Sequence, residues 1–434
     1  MRPWISDNLS INDRGHLAIG GCDTVSLAKE YGTPLYVMDE QKIRRTLREL
    51  RQAVETHFEN GGRVAYASKA CCFLEMYRIA AGEGCGADVV SGGELYTALK
   101  AGMPAGRLYF HGNNKSESEL RMALEAGVGR IVVDNPTELR VLSRLAGECG
   151  RTADIYLRVT PGIDAHTHSF IRTGQIDSKF GFTLESGEAL QGVKDALSLP
   201  HLELKGLHCH IGSQIFDEQP FEHAAGVMIG FMDQIRSETG VTLPELNLGG
   251  GFGIAYTPAD HPKPAPEYLR LVGETLKKAA ESRDFPVPYV VIEPGRSVAA
   301  PAGLTLYTVG AVKHIPGVRT YVSIDGGMCD NPRYALYQAA YTAVIADRAG
   351  EEPAGNVTIA GRCCESGDLI QENTPLQSCG RGDILAVLAT GAYNYAMSSN
   401  YNRLPRPAVV MVKDGTSRVV VKAETYDDLI RNDI

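Results

Sequence analysis

Eight short apolar runs recur between residues 63 and 296, and nearly every one ends in a polar, chemically loaded tail. Val64–Ala67 runs into Ser68-Lys69-Ala70, Ala87–Val90 into Ser91-Gly92-Gly93-Glu94, and Leu108–Phe110 into His111-Gly112-Asn113-Asn114. Ile131–Val133 precedes Asp134-Asn135, and Ile155–Val159 precedes Thr160-Pro161-Gly162. Leu204–Leu207 leads to His208-Cys209-His210-Ile211-Gly212-Ser213, Leu246–Leu248 to Gly249-Gly250-Gly251, and Tyr289–Ile292 to Glu293-Pro294-Gly295-Arg296. Helix-like stretches separate most of them. Lys42–His57, Glu94–Lys100, Ser116–Glu125 and Pro136–Glu148 carry apolar residues three and four apart, the spacing of one helix face. Apolar runs buried on both faces and alternating with helices imply a parallel sheet. Eight of them imply a closed (β/α)8 barrel, whose chemistry gathers at the C-terminal ends of the strands.

The pattern changes at both ends of this region. Residues 1–34 predict a hairpin around Asn12-Asp13-Arg14-Gly15, then a helix from Thr24 to Tyr31 stopped by Gly32 and Pro34. After residue 298, Leu304–Val312, Thr320–Ile324, Val357–Ala360, Ile384–Ala389, Ala408–Val412 and Arg418–Val421 read as strands rich in β-branched residues. Asp414-Gly415 supplies a hairpin turn. The expectation is an α/β barrel over residues 35–298 and an all-β domain over 299–434, completed by residues 1–34.

Composition permits this and narrows the partners. A chain of 434 residues accommodates a barrel of ~250 residues and a second domain. A net charge of −9, with no basic run or stripe, argues against nucleic acid or an anionic membrane as the main partner. No stretch approaches the ~18 uninterrupted apolar residues that span a bilayer, and the start carries no apolar signal core. Ten cysteines are scattered without a Cys-x-x-Cys, with adjacent pairs at Cys71-Cys72 and Cys363-Cys364. A cytoplasmic protein with reduced thiols is expected.

The strand tails carry the candidate chemistry. Lys69 follows a strand and precedes a helix, Cys72–Ala81. A lysine there is partly desolvated, and its neutral amine can form a Schiff base. Taken alone, a solvated rim lysine is the commoner case. His208 and His210 lie two apart on a strand and project the same way. A metal site with His166 and His168 is one reading, but no carboxylate or cysteine cluster has matching spacing, so no metal is expected. His208 fits a hydrogen-bonded barrel histidine, and His210, nearer the mouth, fits a ring stacked on a flat ligand. Gly249-Gly250-Gly251 lets backbone N–H groups approach an anion at the usual phosphate position of this barrel. Glu293 and Arg296 add a carboxylate and a guanidinium. A Schiff-base lysine, a phosphate cradle and a carboxylate for a pyridinium nitrogen are what pyridoxal phosphate requires.

Four motifs then resemble the fold-type III pyridoxal-phosphate decarboxylases, the group that includes ornithine and arginine decarboxylases. They are Tyr66-Ala67-Ser68-Lys69-Ala70, His208–Gln214, Gly249-Gly250-Gly251-Phe252-Gly253 and Glu293-Pro294-Gly295-Arg296. Ala165–His168, Ile171–Gly174, Asp177–Gly181, Asp325–Met328, Asn331-Pro332-Arg333, Ala335-Leu336-Tyr337, Cys364–Asp368 and Gly391-Ala392-Tyr393 are similar to the diaminopimelate decarboxylases within that group. The likeness runs from about Gly32 to Pro407. It departs at Tyr334, where the family usually has a second proline, and at Cys363 beside Cys364.

The resemblance implies an alanine racemase-like fold with pyridoxal 5'-phosphate as cofactor. Lys69 would hold it covalently, Glu293 would keep its ring nitrogen protonated and His210 would stack on the ring. Ser213, Gly250, Gly251, the turn Glu293-Pro294-Gly295-Arg296 and Tyr393 would hold its phosphate and ring. Arg296, Arg333 and Tyr337 would bind a distal carboxylate and Glu365 a distal ammonium, with Tyr393 nearby and Cys364 as proton donor. An amino-acid substrate carrying both distal charges follows, with decarboxylation of meso-diaminopimelate to lysine as the expected reaction. The same resemblance implies a homodimer with shared sites, in which Lys179 and Asp368 pair between chains. A related decarboxylase for another distally carboxylated amino acid is the runner-up. A racemase fits less well, because that class resembles an arginine at the ring nitrogen. A non-catalytic cofactor-binding protein would be a short single barrel.

Overall fold

The structure, a computed structural model, describes residues 5–163 and 179–434. The chain divides into two compact units. One comprises Thr46–Gly253 and Pro262–Ser297, and the other comprises the chain up to Arg45, Ile254–His261 and Val298–Ile434.

In the first unit all eight apolar runs are strands. Numbered one to eight, they are Gly62–Ala67, Gly86–Val89, Leu108–Phe110, Arg130–Val133, Ala153–Thr160, Leu202–His208, Glu245–Asn247 and Tyr289–Ile292. Each pairs in parallel with the next, and the eighth pairs with the first, so the ring closes. Local chemistry sets the connecting helices. Ser116 and Glu119 form a reciprocal capping box at the start of Glu117–Ala126, and Asn135 caps Pro136–Glu148. Ala65, Tyr109, Val132, Tyr156 and Val291 pack together inside the ring. At the N-terminal end, Arg130 Nε donates to Glu245 Oε2 at 2.9 Å, and the Tyr156 hydroxyl donates to the same oxygen. This charged floor ties strands four, five and seven together and leaves the opposite end for chemistry.

The second unit is built on a nine-stranded sheet containing Gly303–Ile315, Arg319–Ile324, Gly355–Ala360, Leu369–Leu376, Ile384–Leu388, Ala408–Lys413 and Thr416–Val421. The barrel's expected lower limit at residue 35 is too early. Leu35–Asp39 is apolar enough for a barrel strand, but it pairs antiparallel with Gly303–Leu306 and parallel with Ala408–Val412. Ile254–His261, expected within the barrel, also belongs here. Residues Leu9–Ile11, Leu17–Ile19 and Cys22–Asp23 form a small separate sheet, and Asp23 caps the helix Thr24–Tyr31. Two further strands of this sheet escape the sequence pattern. Leu369–Leu376 contains Gln371, Glu372, Asn373 and Pro375 and lies at a sheet edge, and Ala343–Ile345 is only three residues long. No helix among the described residues is long and apolar enough to cross a membrane.

Glu40 anchors this unit's charged network. Its carboxylate is buried and accepts from Arg44 at 2.8 Å, Lys413 at 3.2 Å and Arg418 at 2.9 Å. Burial raises its pKa, but the three cations outweigh that and lower it to about 2. An unfolded glutamate titrates near ~4.3, so the contribution is complete above that pH and is lost as pH falls toward about 2. Glu40→Gln should therefore destabilise the protein most at neutral pH. The gap to wild type should close on acidification, as measured by chemical denaturation at a series of pH values. A gap independent of pH would remove the carboxylate charge from the account.

Candidate active site

The strand tails do not fray at the barrel mouth. The backbone N–H of His111 donates to Val89 at 2.8 Å, Cys209 to Asn247 at 2.9 Å, Leu248 to Val291 at 3.0 Å, Glu293 to Gly249 at 2.7 Å and Ala67 to Pro294 at 3.1 Å. These bonds carry the ladder past the ends of the strands. The side chains on the tails are thus held by backbone rather than by loops.

Glu293 is the focus of the mouth. It is only 5% exposed, and three N–H groups converge on it. His111 Nε2 lies 2.7 Å and Asn247 Nδ2 2.7 Å from Oε1, and His208 Nε2 lies 3.2 Å from Oε2. Burial alone would push the carboxyl pKa up, but His111 and His208 pull it well below the usual range, so it is ionised. A carboxylate offers about four acceptor sites, so one remains for a further donor. Burial lowers the His208 pKa to about 3, which makes it a neutral ring donating through Nε2, and its buried Nδ1 has no partner among the described residues. The expectation of a hydrogen-bonded barrel histidine thus describes His208. His111, His208 and Glu293 also bring three potential metal-ligand atoms within 4.8 Å of one another, though the contacts present are hydrogen bonds. The histidine pair does not converge on one point, because His210 Nδ1 instead accepts the Gly250 N–H at 3.3 Å.

Lys69 lies in a single turn of 3-10 helix, Ser68–Ala70, directly after strand one. Its ammonium is 3.1 Å from Asp88 Oδ2, and the Asp88 side chain is 0% exposed. The Lys69 side chain is itself 39% exposed, so the pair joins a buried carboxylate to an ammonium at the open mouth. The other oxygen, Asp88 Oδ1, is buried and has no hydrogen-bond partner among the described residues. The adjacent Ser68 hydroxyl donates to the Asp88 carbonyl at 2.7 Å, locking the turn to strand two.

The glycine loop is packed too tightly for any side chain. A Cβ on Gly250 would lie 2.2 Å from the Glu293 carbonyl oxygen, and one on Gly249 would lie 2.7 Å from that of Cys209. Gly249 and Gly251 have φ of +66° and +116°, in the region glycine favours. Asn247 fixes the loop to the carboxylate, since its Oδ1 accepts the Gly249 N–H at 2.9 Å while its Nδ2 serves Glu293. Beside it, Arg296 donates to the Ser213 hydroxyl through Nε at 3.0 Å and Nη2 at 2.9 Å. Gly295 lets this turn close onto the lysine turn, where a Cβ would meet Ala67 and Ala70 at about 3 Å. His210 is driven well below its usual pKa by burial and the neighbouring Lys69 charge, so its ring is neutral.

The remaining predicted residues belong to the second unit. Arg333 is 5% exposed and stands in a box of tyrosines. It donates to the Tyr337 hydroxyl at 3.2 Å and the Tyr341 hydroxyl at 2.6 Å, and lies 4.6 Å from the Tyr256 ring centroid. Asn394 braces the loop before it by donating to the Thr390 and Ala392 carbonyls, with Tyr393 at a φ of +60°. Cys364 and Glu365 are exposed, and Cys363 is buried. Tyr334, the departure from proline, is absorbed by a hydrogen bond to Glu372 at 2.7 Å. Asp368 is expected to pair with Lys179 between chains, and within one chain its carboxylate already has backbone partners. It is buried, and its oxygens accept the Met328 and Cys363 N–H groups at 2.6 Å. His166, His168, Ile171–Gly174, Asp177 and Ser178 lie outside the described residues.

Comparison with known proteins agrees with this geometry. Residues 40–300 match the family model of the pyridoxal-dependent decarboxylase pyridoxal-binding domain. The diaminopimelate decarboxylase of Bacillus subtilis (strain 168) is 51% identical over 426 residues, covering 98% of this chain and 96% of that protein. That of Halalkalibacterium halodurans is 49% identical over 427 residues, again 98% and 96%. The crystal structure of diaminopimelate decarboxylase from M. jannaschii in co-complex with L-lysine superposes with a TM-score of 0.92 at 36% identity, covering 99% of this chain and 98% of that one. The barrel with its second sheet domain is that of a fold-type III pyridoxal-phosphate-dependent decarboxylase. Within that class the chain belongs to the diaminopimelate decarboxylase family.

The mouth fits the cofactor this family uses. The glycine loop is a cradle that a Cβ would fill, Glu293 has an acceptor site left, and Lys69 supplies an amine on the turn that Gly295 packs against. Asp88 and Asn247, lone polar residues inside apolar runs, and His111, which opens the polar tail of one, were not singled out for a role from sequence. Gly250→Ala should weaken binding of pyridoxal phosphate to the apo-protein about tenfold or more, because the displaced loop costs ~1–3 kcal/mol. Titration followed by absorbance measures this. Unchanged affinity would take the loop out of the site.

Proposed function

We propose that the chain catalyses the pyridoxal-phosphate-dependent decarboxylation of meso-2,6-diaminopimelate to L-lysine and CO2, the last step of lysine biosynthesis. The observation that carries this reading is Arg333. A buried guanidinium with only tyrosine hydroxyls and rings around it, and no carboxylate partner among the described residues, is built to receive an anion. A substrate ending in an amine alone has no use for it. Glu365 would take the distal ammonium, and Tyr337 and Arg296 would complete the distal contacts. Bound pyridoxal phosphate supplies a ring that accepts the electron pair left when CO2 departs. Lys69, held by Asp88, would link covalently to it. Glu293 would hold a proton at the ring nitrogen. The neutral His210 ring would stack on the cofactor. The backbone of Gly250, Gly251 and the Pro294-Gly295-Arg296 turn, with Ser213 and Tyr393, would hold the phosphate and ring. Cys364 returns a proton to the carbon that lost CO2. We place the reaction in the cytoplasm, where the chain's ten cysteines stay reduced.

Supplying meso-diaminopimelate to the holoenzyme should yield lysine and CO2 in equal amounts, with no diamine product. Arg333→Gln should lower kcat/KM by a factor corresponding to about 2–5 kcal/mol, mostly through KM. Steady-state kinetics with product chromatography decide both. Decarboxylation of lysine itself at a comparable rate would contradict the proposed selection.

The exposure of Cys364 and Glu365 supports a second part of the proposal, that they act at the cofactor of a partner chain in a twofold homodimer. Lys69→Ala and Cys364→Ala should each be nearly inactive alone. In a mixed dimer one site collects both lesions and the other neither, so random exchange restores roughly a quarter of all sites. Activity that stays at the parental level after proven subunit exchange would mean that each site is built within one chain.

A further inference from the structure

We infer that His111 is the positioning residue that, together with Asn247, fixes the Glu293 carboxylate so that its one remaining acceptor site is left for the ring nitrogen of the cofactor. The inference rests on the reading of Glu293 as the group that holds the ring-nitrogen proton. Its own support is geometric. His111 is 4% exposed and makes one of the two shortest contacts to Glu293, at 2.7 Å. Its Nε2 also lies 3.9 Å from Asp88 Oδ1, too far for a hydrogen bond, so the imidazole stands between the acceptor of Lys69 and the acceptor proposed for the ring. The ring packs edge-on against His208, with centroids 4.7 Å apart, which settles its tilt.

The tail that carries His111 is held on both sides. The His111 N–H continues the ladder to Val89, and the Lys115 ammonium donates to the Gly112 carbonyl at 2.7 Å and the Val132 carbonyl at 2.8 Å. Lys115 is itself buried against Glu138 at 2.8 Å, an ion pair whose visible effect is to hold the loop after strand three. Asn247 is equally constrained, because its amide oxygen is committed to the Gly249 N–H. Glu293 is therefore gripped by two donors that cannot swing away, and the phosphate cradle and the ring-nitrogen acceptor are parts of one hydrogen-bonded unit.

The test compares His111→Phe, His111→Gln, His111→Asn and Glu293→Gln as cofactor-loaded enzymes, reading kcat and KM for meso-diaminopimelate and the long-wavelength absorbance band of the bound cofactor. Phenylalanine keeps the packing on His208 and removes the donor. Glutamine Nε2 reaches about as far as histidine Nε2, whereas asparagine falls short. His111→Phe should lower kcat about 10- to 100-fold with little change in KM, the loss expected for one hydrogen bond to a charged group. It should move the absorbance band in the same direction as Glu293→Gln, and His111→Gln should recover most of both. A wild-type band and kcat in His111→Phe, with Glu293→Gln altered, would overturn the role of His111 and leave that of Glu293 standing. An unaltered Glu293→Gln would instead overturn the reading on which the inference rests. If His111→Phe does not fold, the glutamine and asparagine variants decide, since equal kcat and equal bands in those two overturn the inference.

Discussion

One constraint organises the barrel mouth: a carboxylate is kept charged where water cannot reach it. An isolated ionised carboxylate in a protein interior is strongly disfavoured and would take up a proton. Glu293 avoids this because strands three, six and seven each contribute an N–H group, from His111, His208 and Asn247. Much else follows. Asn247 can serve the carboxylate only because its other end is taken by the glycine loop. The loop in turn can approach the Glu293 backbone only without side chains. Strand eight then turns at Gly295 onto the segment that bears Lys69. The groups proposed to serve the cofactor's ring, phosphate and covalent link thus form one connected set of contacts.

The two ends of the barrel divide the work. The Arg130–Glu245–Tyr156 floor closes the ring with charge-assisted bonds at the N-terminal side and plays no part in the chemistry proposed here. At the mouth, where the cofactor is proposed to bind, Asp88 Oδ1 and His208 Nδ1 are buried without a hydrogen-bond partner among the described residues. Unsatisfied buried atoms are costly, and they concentrate where function requires them. In the second unit the same logic produces a buried cation. Arg333 is held by aromatic faces and hydroxyls, which orient a guanidinium without neutralising it.

The barrel was legible because its signal is local. Each strand is a short apolar run, and each run is followed by turn chemistry, so all eight strands could be placed from sequence. The sheet to which a strand belongs is a non-local fact. Leu35–Asp39 reads like a barrel strand, and only its pairing with residues near 304 and 410 assigns it to the other unit. The site shows the same division. Lys69, the glycine loop and Glu293 stand in recognisable motifs. Asp88 and Asn247 are single polar residues inside apolar runs, and their meaning emerges when the ring brings them beside Lys69 and Glu293. Asp368 is a further case: its motif says nothing of the two backbone N–H groups, Met328 and Cys363, that its buried carboxylate accepts.

The central claim is that Glu293 is an ionised acceptor that keeps a proton on the cofactor's ring nitrogen. The most direct measurement is nuclear magnetic resonance of the protein loaded with pyridoxal phosphate carrying an isotopically labelled ring nitrogen. The account predicts the chemical shift of a protonated pyridine, unchanged across the pH range around neutrality. The shift of an unprotonated ring, or one that titrates with the solvent as free cofactor does, would contradict it.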